Sequence, residues 1–193
     1  MEILPIFPTL IFQTNIPVPA GMAEWCEKYA TINRSEQFSN RGGFHSPMDI
    51  IDNEEFKKFF DYFVENLGKD NPLPTFTLNT CWFMVNERGH YNVPHRHPNS
   101  DYSFVWYIDV PKNGPPIVFE NDNQFTRFNT YQLLDQGIAE TYNHAANYWW
   151  RPLKGDLLLF PADLMHSVEP NNTDETRIIF SGNINFNKKT KDS

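Results

Sequence analysis

The chain has 193 residues, enough for one domain with a sizeable core and short for two. With 40% hydrophobic and 16% aromatic residues its composition is that of a folded protein and not of a disordered one. A net charge of −8, a pI near 5.2 and no long basic run argue against a nucleic-acid backbone as partner.

In chain order, residues 3–14 read as a strand that Pro5 and Pro8 push toward a sheet edge. This apolar start has no basic flank and is broken by proline, so neither a signal peptide nor a membrane span is expected. GMAEWCEKYA reads as a short helix, and NRGGFHSP as a turn around two glycines. Asp52 to Leu67 carries Phe56, Phe59, Phe60, Phe63 and Leu67 at helical spacing, with Asp52 as the expected N-cap and Gly68 as the stop. After Pro74 come short apolar runs split by turn residues: TFTLNTCWFMVN, YSFVWYIDV, PPIVFEN, NYWWRPL, GDLLLFP and TRIIFSGNINF. That pattern predicts a mainly β fold, a sandwich or jelly roll with the helices outside. Residues 121–147 lack periodicity and read as a loop or lid. Cys26 and Cys81, far apart, read as reduced core thiols in a cytoplasmic protein.

The chemistry gathers around VPHRHPNSDYSFVWYI. His95 and His97 alternate, so an extended backbone points both to one face. By itself H-x-H fits a metal site or a polar pocket equally. His166, after GDLLLFPADLM, can complete a site begun by that pair, because a jelly roll brings distant strands together. Three ligands on one face leave positions open for small molecules, which suits redox-active iron. Arg177 opens the strand RIIFSGNI after the turn-like PNNTDE; if residues 167–170 and 177–180 pair as neighbours, it enters the same cavity. A buried arginine needs an anion, and a small carboxylate held in a fork is the natural one. The bland alternative is a surface ion pair with Asp174 or Glu175. His45 reads as a turn residue or a substrate contact, His90 and His144 as solvated, and at most one of Trp149 and Trp150 as a cleft wall.

These pieces in this order resemble the iron(II)/2-oxoglutarate-dependent dioxygenases, specifically bacterial and phage members with an H-x-H-P-x-S signature. The matching segments are GGFHS at 42–46, WFMVN at 82–86, HRHPNS at 95–100, SFVWYI at 103–108, GDLLLFP at 155–161, His166 and RIIF at 177–180. The resemblance implies a double-stranded β-helix, a cupin-like jelly-roll core, forming a single domain over 1–193 with helical support mainly in 20–70 and β core mainly in 75–187. It implies iron(II) on His95, His97 and His166, with 2-oxoglutarate as cosubstrate bound by Arg177, Tyr107 and, facing the cavity, Asn86. The implied reaction uses molecular oxygen, releases succinate and CO2 and hydroxylates a small molecule or a protein side chain.

Two departures stand out. The wider superfamily writes H-x-D where this chain writes H-x-H, which leaves Asp101 as an alternative carboxylate ligand. Ile179 stands where many relatives have serine, shifting carboxylate binding toward Tyr107. Two rivals are a cupin using His95, His97, Asp101 and His166 without 2-oxoglutarate, and a barrel that binds without turnover. The substrate is not legible; specificity is expected from residues 37–50 and 121–147.

Overall fold

The computed structural model describes residues 8–67, 75–122 and 145–187, together with Gly137. The expected helix stop at Gly68, His144, most of the expected lid and the start of the first strand lie outside the described residues. Among the described residues the main elements run in the order β1 (Phe12–Asn15), α1 (Met22–Ile32), β2 (Asn40–Arg41), β3 (Phe44–His45), α2 (Glu54–Leu67), β4 (Phe76–Asn86), β5 (Tyr91–His95), β6 (Tyr102–Asp109), β7 (Ile117–Glu120), β8 (Asn147–Trp150), β9 (Asp156–Pro161), β10 (His166–Val168) and β11 (Arg177–Phe186).

The strands form two antiparallel sheets, one ordered β1-β9-β6-β11-β4-β3 and the other β2-β5-β10-β7-β8. From β4 onward the chain passes repeatedly between them, which is the winding of a double-stranded β-helix. The six-stranded sheet is apolar on both faces, which is why its strands read as continuous hydrophobic runs rather than alternating ones. Phe83, Phe104, Trp106 and Phe180 point out to the helices and pack with Trp25, Phe56 and Phe63. Trp82, Met84, Val105 and Ile179 point in, toward the second sheet. The helices thus cover the outer face, and the space between the sheets holds the site.

Three expectations are corrected. The N-cap of α2 is Asn53 and not Asp52: Asn53 Oδ1 accepts from the N–H groups of Glu55 and Phe56, both at 3.0 Å, while Asp52 ends a preceding 3-10 turn. β10 and β11 are not paired neighbours, since they belong to different sheets and residues 169–176 cross between them. His90 is half-buried, its Nδ1 accepting from the N–H of Glu87 at 3.0 Å and its ring lying over Gly42. Gly42, at φ +68, has no room for a Cβ, which would come within 2.3 Å of that ring.

Candidate metal centre

His95 ends β5 and sits directly across from His166, the first residue of β10. His97 follows just past the strand, where its backbone N–H donates to Ala162 O at 2.8 Å. The Nε2 atoms of His97 and His166 are 3.2 Å apart. One nitrogen from each of the three rings lies within 4.8 Å of the others, the one such cluster among the described residues. Nitrogens about 2.1 Å from one ion and at right angles around it stand roughly 3 Å apart, so the spacing fits a shared metal.

Two of the rings are locked in the tautomer a metal requires. Nδ1 of His95 meets Val93 O at 2.8 Å, and Nδ1 of His166 meets Leu164 O at 2.8 Å. A carbonyl only accepts, so both Nδ1 atoms carry the proton and both Nε2 atoms offer a lone pair. The His97 ring stacks between Trp82 (centroids 5.6 Å apart) and His166 (5.1 Å). Burial lowers all three pKa values, His97 to about 4, and for His97 and His166 the neighbouring imidazoles lower them further. All three rings are therefore neutral at pH 7 and free to ligate. Ser39 Oγ reaches His95 Nε2 at 3.3 Å; as one serine among several in a turn region, it carries no sequence signal.

A cavity of about 790 Å³ opens beside these rings and reaches Arg177 on the opposing sheet. Arg177 is 2% exposed. Among the described residues no carboxylate pairs with it, and its Nε has no hydrogen-bond partner. A surface ion pair with Asp174 or Glu175 is excluded by that burial, and Asp174 pairs instead with Arg88 at 2.6 Å. Tyr107 lies beneath the guanidinium, with its ring centroid 5.3 Å from Cζ. Among the described residues only the guanidinium itself comes near the Tyr107 hydroxyl, without full hydrogen-bond geometry, and Oδ1 of Asn86, the residue in register with Arg177, has no partner. Burial pushes the Tyr107 phenol up to about 12, with the Arg177 cation acting against that, so it remains a proton donor. Arg177 lines the cavity with Tyr107 and Asn86 buried beside it, and unpartnered polar groups buried together there call for a polar ligand.

Asp101 is placed otherwise. Its Oδ2 accepts from the N–H of Phe186 at 2.8 Å, on the exposed end of the sheet, and it does not line the cavity. His45 does: it is 3% exposed and stacks on Trp82 with 5.5 Å between centroids. Trp150 packs against Tyr107 at 5.8 Å, while Trp149 is exposed.

The sequence model of the family described as "Putative 2OG-Fe(II) oxygenase" matches residues 80–183, more than half of the chain. The chain belongs to this family of oxygenases. No curated protein matches its sequence. Among solved structures, a prolyl-4-hydroxylase from Pseudomonas putida aligns over 93% of this oxygenase and 94% of its own chain, with TM-score 0.57 and 17% identity. HygX from Streptomyces hygroscopicus, with nickel and 2-oxoglutarate bound, aligns over 95% and 85%, with TM-score 0.59 and 12% identity. The epimerase SnoN from nogalamycin biosynthesis, in complex with Fe3+ and alpha ketoglutarate, aligns over 90% and 78%, with TM-score 0.60 and 14% identity. At such identities these are likenesses of fold.

The protein is an iron(II)- and 2-oxoglutarate-dependent oxygenase. Its own residues fit both groups: three convergent imidazoles offer nitrogen donors suited to iron, and a buried cation beside a buried phenol offers donors for a carboxylate. No helix among the described residues is long and apolar enough to cross a membrane.

Proposed function

We propose that His95, His97 and His166 hold the iron(II) of this oxygenase, and that Arg177 and Tyr107 hold the far carboxylate of 2-oxoglutarate. One observation carries the reading: a buried cation that meets no carboxylate among the described residues faces, across one cavity, three imidazoles whose nitrogens converge. When bound, iron(II) and 2-oxoglutarate would activate O2, which is the oxidant: one oxygen atom enters succinate as the cosubstrate loses CO2, and the other enters a C–H bond of the substrate as a hydroxyl.

The chain's own residues bind, orient and exclude water. Val93 O and Leu164 O fix the rings of His95 and His166, so little reorganisation accompanies metal binding. A set of three imidazoles brings no negative charge, unlike one that includes a carboxylate. The dianionic cosubstrate therefore serves as counter-ion, and Arg177 balances its distal end. Asn86, in register with Arg177, offers at the same end an Oδ1 that no donor among the described residues occupies. The apolar cluster of Trp82, Met84, Tyr107, Phe160 and Ile179 keeps the site dry. We read 1–193 as one oxygenase domain that acts on a small molecule or a protein side chain. Two buried free thiols support a reducing compartment, the cytoplasm.

Anaerobic titration with iron(II) and 2-oxoglutarate tests the assignment through the visible charge-transfer band of the chelate. The band is expected in the native protein and in Asp101→Ala, and lost in His97→Ala and His166→Ala. The reverse result for Asp101 and His97 would overturn the ligand set.

A further inference from the structure

The cavity has a second end. Trp82, which stacks on His97, lies opposite Ser181 in the β4–β11 ladder. Arg177 lies four residues before Ser181, and Asn183 two residues beyond it. At about 3.3 Å per residue, Arg177 and Asn183 stand roughly 20 Å apart along the strand, with His97, stacked on Trp82, at the level of Ser181 between them. The end past Trp82 is built from Asn79, Thr80, Asn99, Ser100, Ser181 and Asn183.

None of these six is ionisable. Arg96 also lines the cavity, but both oxygens of Asp122 take its guanidinium at 2.8 Å. An ion brought to this end would find no counter-charge among these six residues.

A backbone irregularity builds the rim. The register passes from Thr80 opposite Asn183 to Leu78 opposite Ile184, leaving Asn79 unpaired in a β-bulge. Both Asn79 and its neighbour Thr80 therefore line the cavity, where a regular strand would turn one of them away. Asn79 Nδ2 donates to Ser100 Oγ at 3.0 Å and Asn99 O at 3.4 Å, tying the bulge to the turn that follows His97. In that turn Asn99 adopts φ +67, which asparagine tolerates better than most residues.

Behind the rim runs a directed chain of hydrogen bonds. Ser103 Oγ donates to Asn183 Oδ1 at 2.8 Å, and Asn183 Nδ2 donates to Thr80 Oγ1 at 2.9 Å. The opposite sense would leave the Ser103 proton without an acceptor at a site 2% exposed, so burial fixes the direction. Thr80 accepts from Asn183, and among the described residues its own hydroxyl proton has no acceptor. That proton borders the cavity.

We infer that this end reads the substrate: Thr80, polarised by Asn183 and Ser103, donates to a carbonyl or hydroxyl oxygen of an uncharged group. The inference rests on the iron site proposed above for which side of the metal is the substrate side. Asn183 and Ser103 are positioning residues, and Thr80 sets specificity.

The test uses N-methylacetamide as a neutral acceptor probe, with acetate and methylammonium as charged controls. Each is titrated into the protein loaded with zinc and 2-oxoglutarate while amide NMR signals around Thr80 and Asn183 are followed. N-methylacetamide is expected to shift them saturably, and the controls at equal concentration are not. Thr80→Val should weaken the probe about 3- to 10-fold, the loss of one hydrogen bond, and Thr80→Ser should restore it. No shift, equal or stronger shifts with acetate, or unchanged affinity in a folded Thr80→Val protein would each overturn the inference. The chelate band of the native protein, read separately, shows whether the iron assignment itself fails.

Discussion

Arg177 shows how one side chain can oppose the stability of the fold that carries it. Its guanidinium is buried, no carboxylate among the described residues meets it, and burial lowers its pKa. Arg177→Met removes that charge without leaving a lone anion behind, unlike the breaking of an ion pair. Thermal unfolding of the ligand-free variant should therefore show a gain of about 1–3 kcal/mol. The same variant should no longer be stabilised by 2-oxoglutarate, which is expected to protect the native protein by mass action. A loss of stability in the ligand-free variant would contradict this account of the site. At this scale the candidates were legible only in combination: H-x-H alone is ambiguous, and it was the late histidine and the strand-opening arginine together that pointed to one cavity, where the structure places all four residues. Ser39 and Thr80 were not legible, since one hydroxyl looks like another until a fold places it.

The helix α2 separates pattern from detail. Its apolar spacing fixed the buried face, but two adjacent cap-competent residues, Asp52 and Asn53, left its start open by one position. In the structure Asn53 takes two N–H groups. Asn53→Ala should cost about 1 kcal/mol in chemical denaturation, and Asp52→Ala much less. Equal losses would mean that the cap is shared. Strand partners were harder to read than strands. The turn-like PNNTDE suggests a hairpin, yet the chain crosses between sheets there, because the inner faces of both sheets need apolar cover. The bulge at Asn79 has no sequence signature, as it arises from how two strands fit together.

At the scale of the molecule, a neutral histidine core ties stability to pH. Burial lowers the His45 pKa to about 4, against about 6.5 in an unfolded chain. Between those values the unfolded chain takes up a proton that the native protein refuses. The contribution of His45 is complete above pH 6.5 and is lost as pH falls toward 4, at up to about 1.4 kcal/mol per pH unit. Metal-free protein should therefore unfold at lower temperature as pH drops through this window, and His45→Gln should flatten the slope. A slope unchanged by that variant would assign the effect to the other buried histidines alone. The layered architecture was readable in advance because runs such as CWFMV are apolar on both faces and so demand cover on both sides.

The same two-sided strand places Cys81 and Trp82 side by side in sequence and on opposite sides of a sheet. Cys81 and Cys26 are both 0% exposed in the helix-covered layer, and burial pushes the Cys81 thiol up to about 12 and that of Cys26 higher still. A protein that handles oxygen thus stores its most oxidisable atoms behind a wall of phenylalanine, as protonated thiols of low reactivity. A disulfide-exchange reagent should find neither thiol in the native protein and both in the unfolded chain, and mass spectrometry after prolonged turnover should find both cysteines unoxidised.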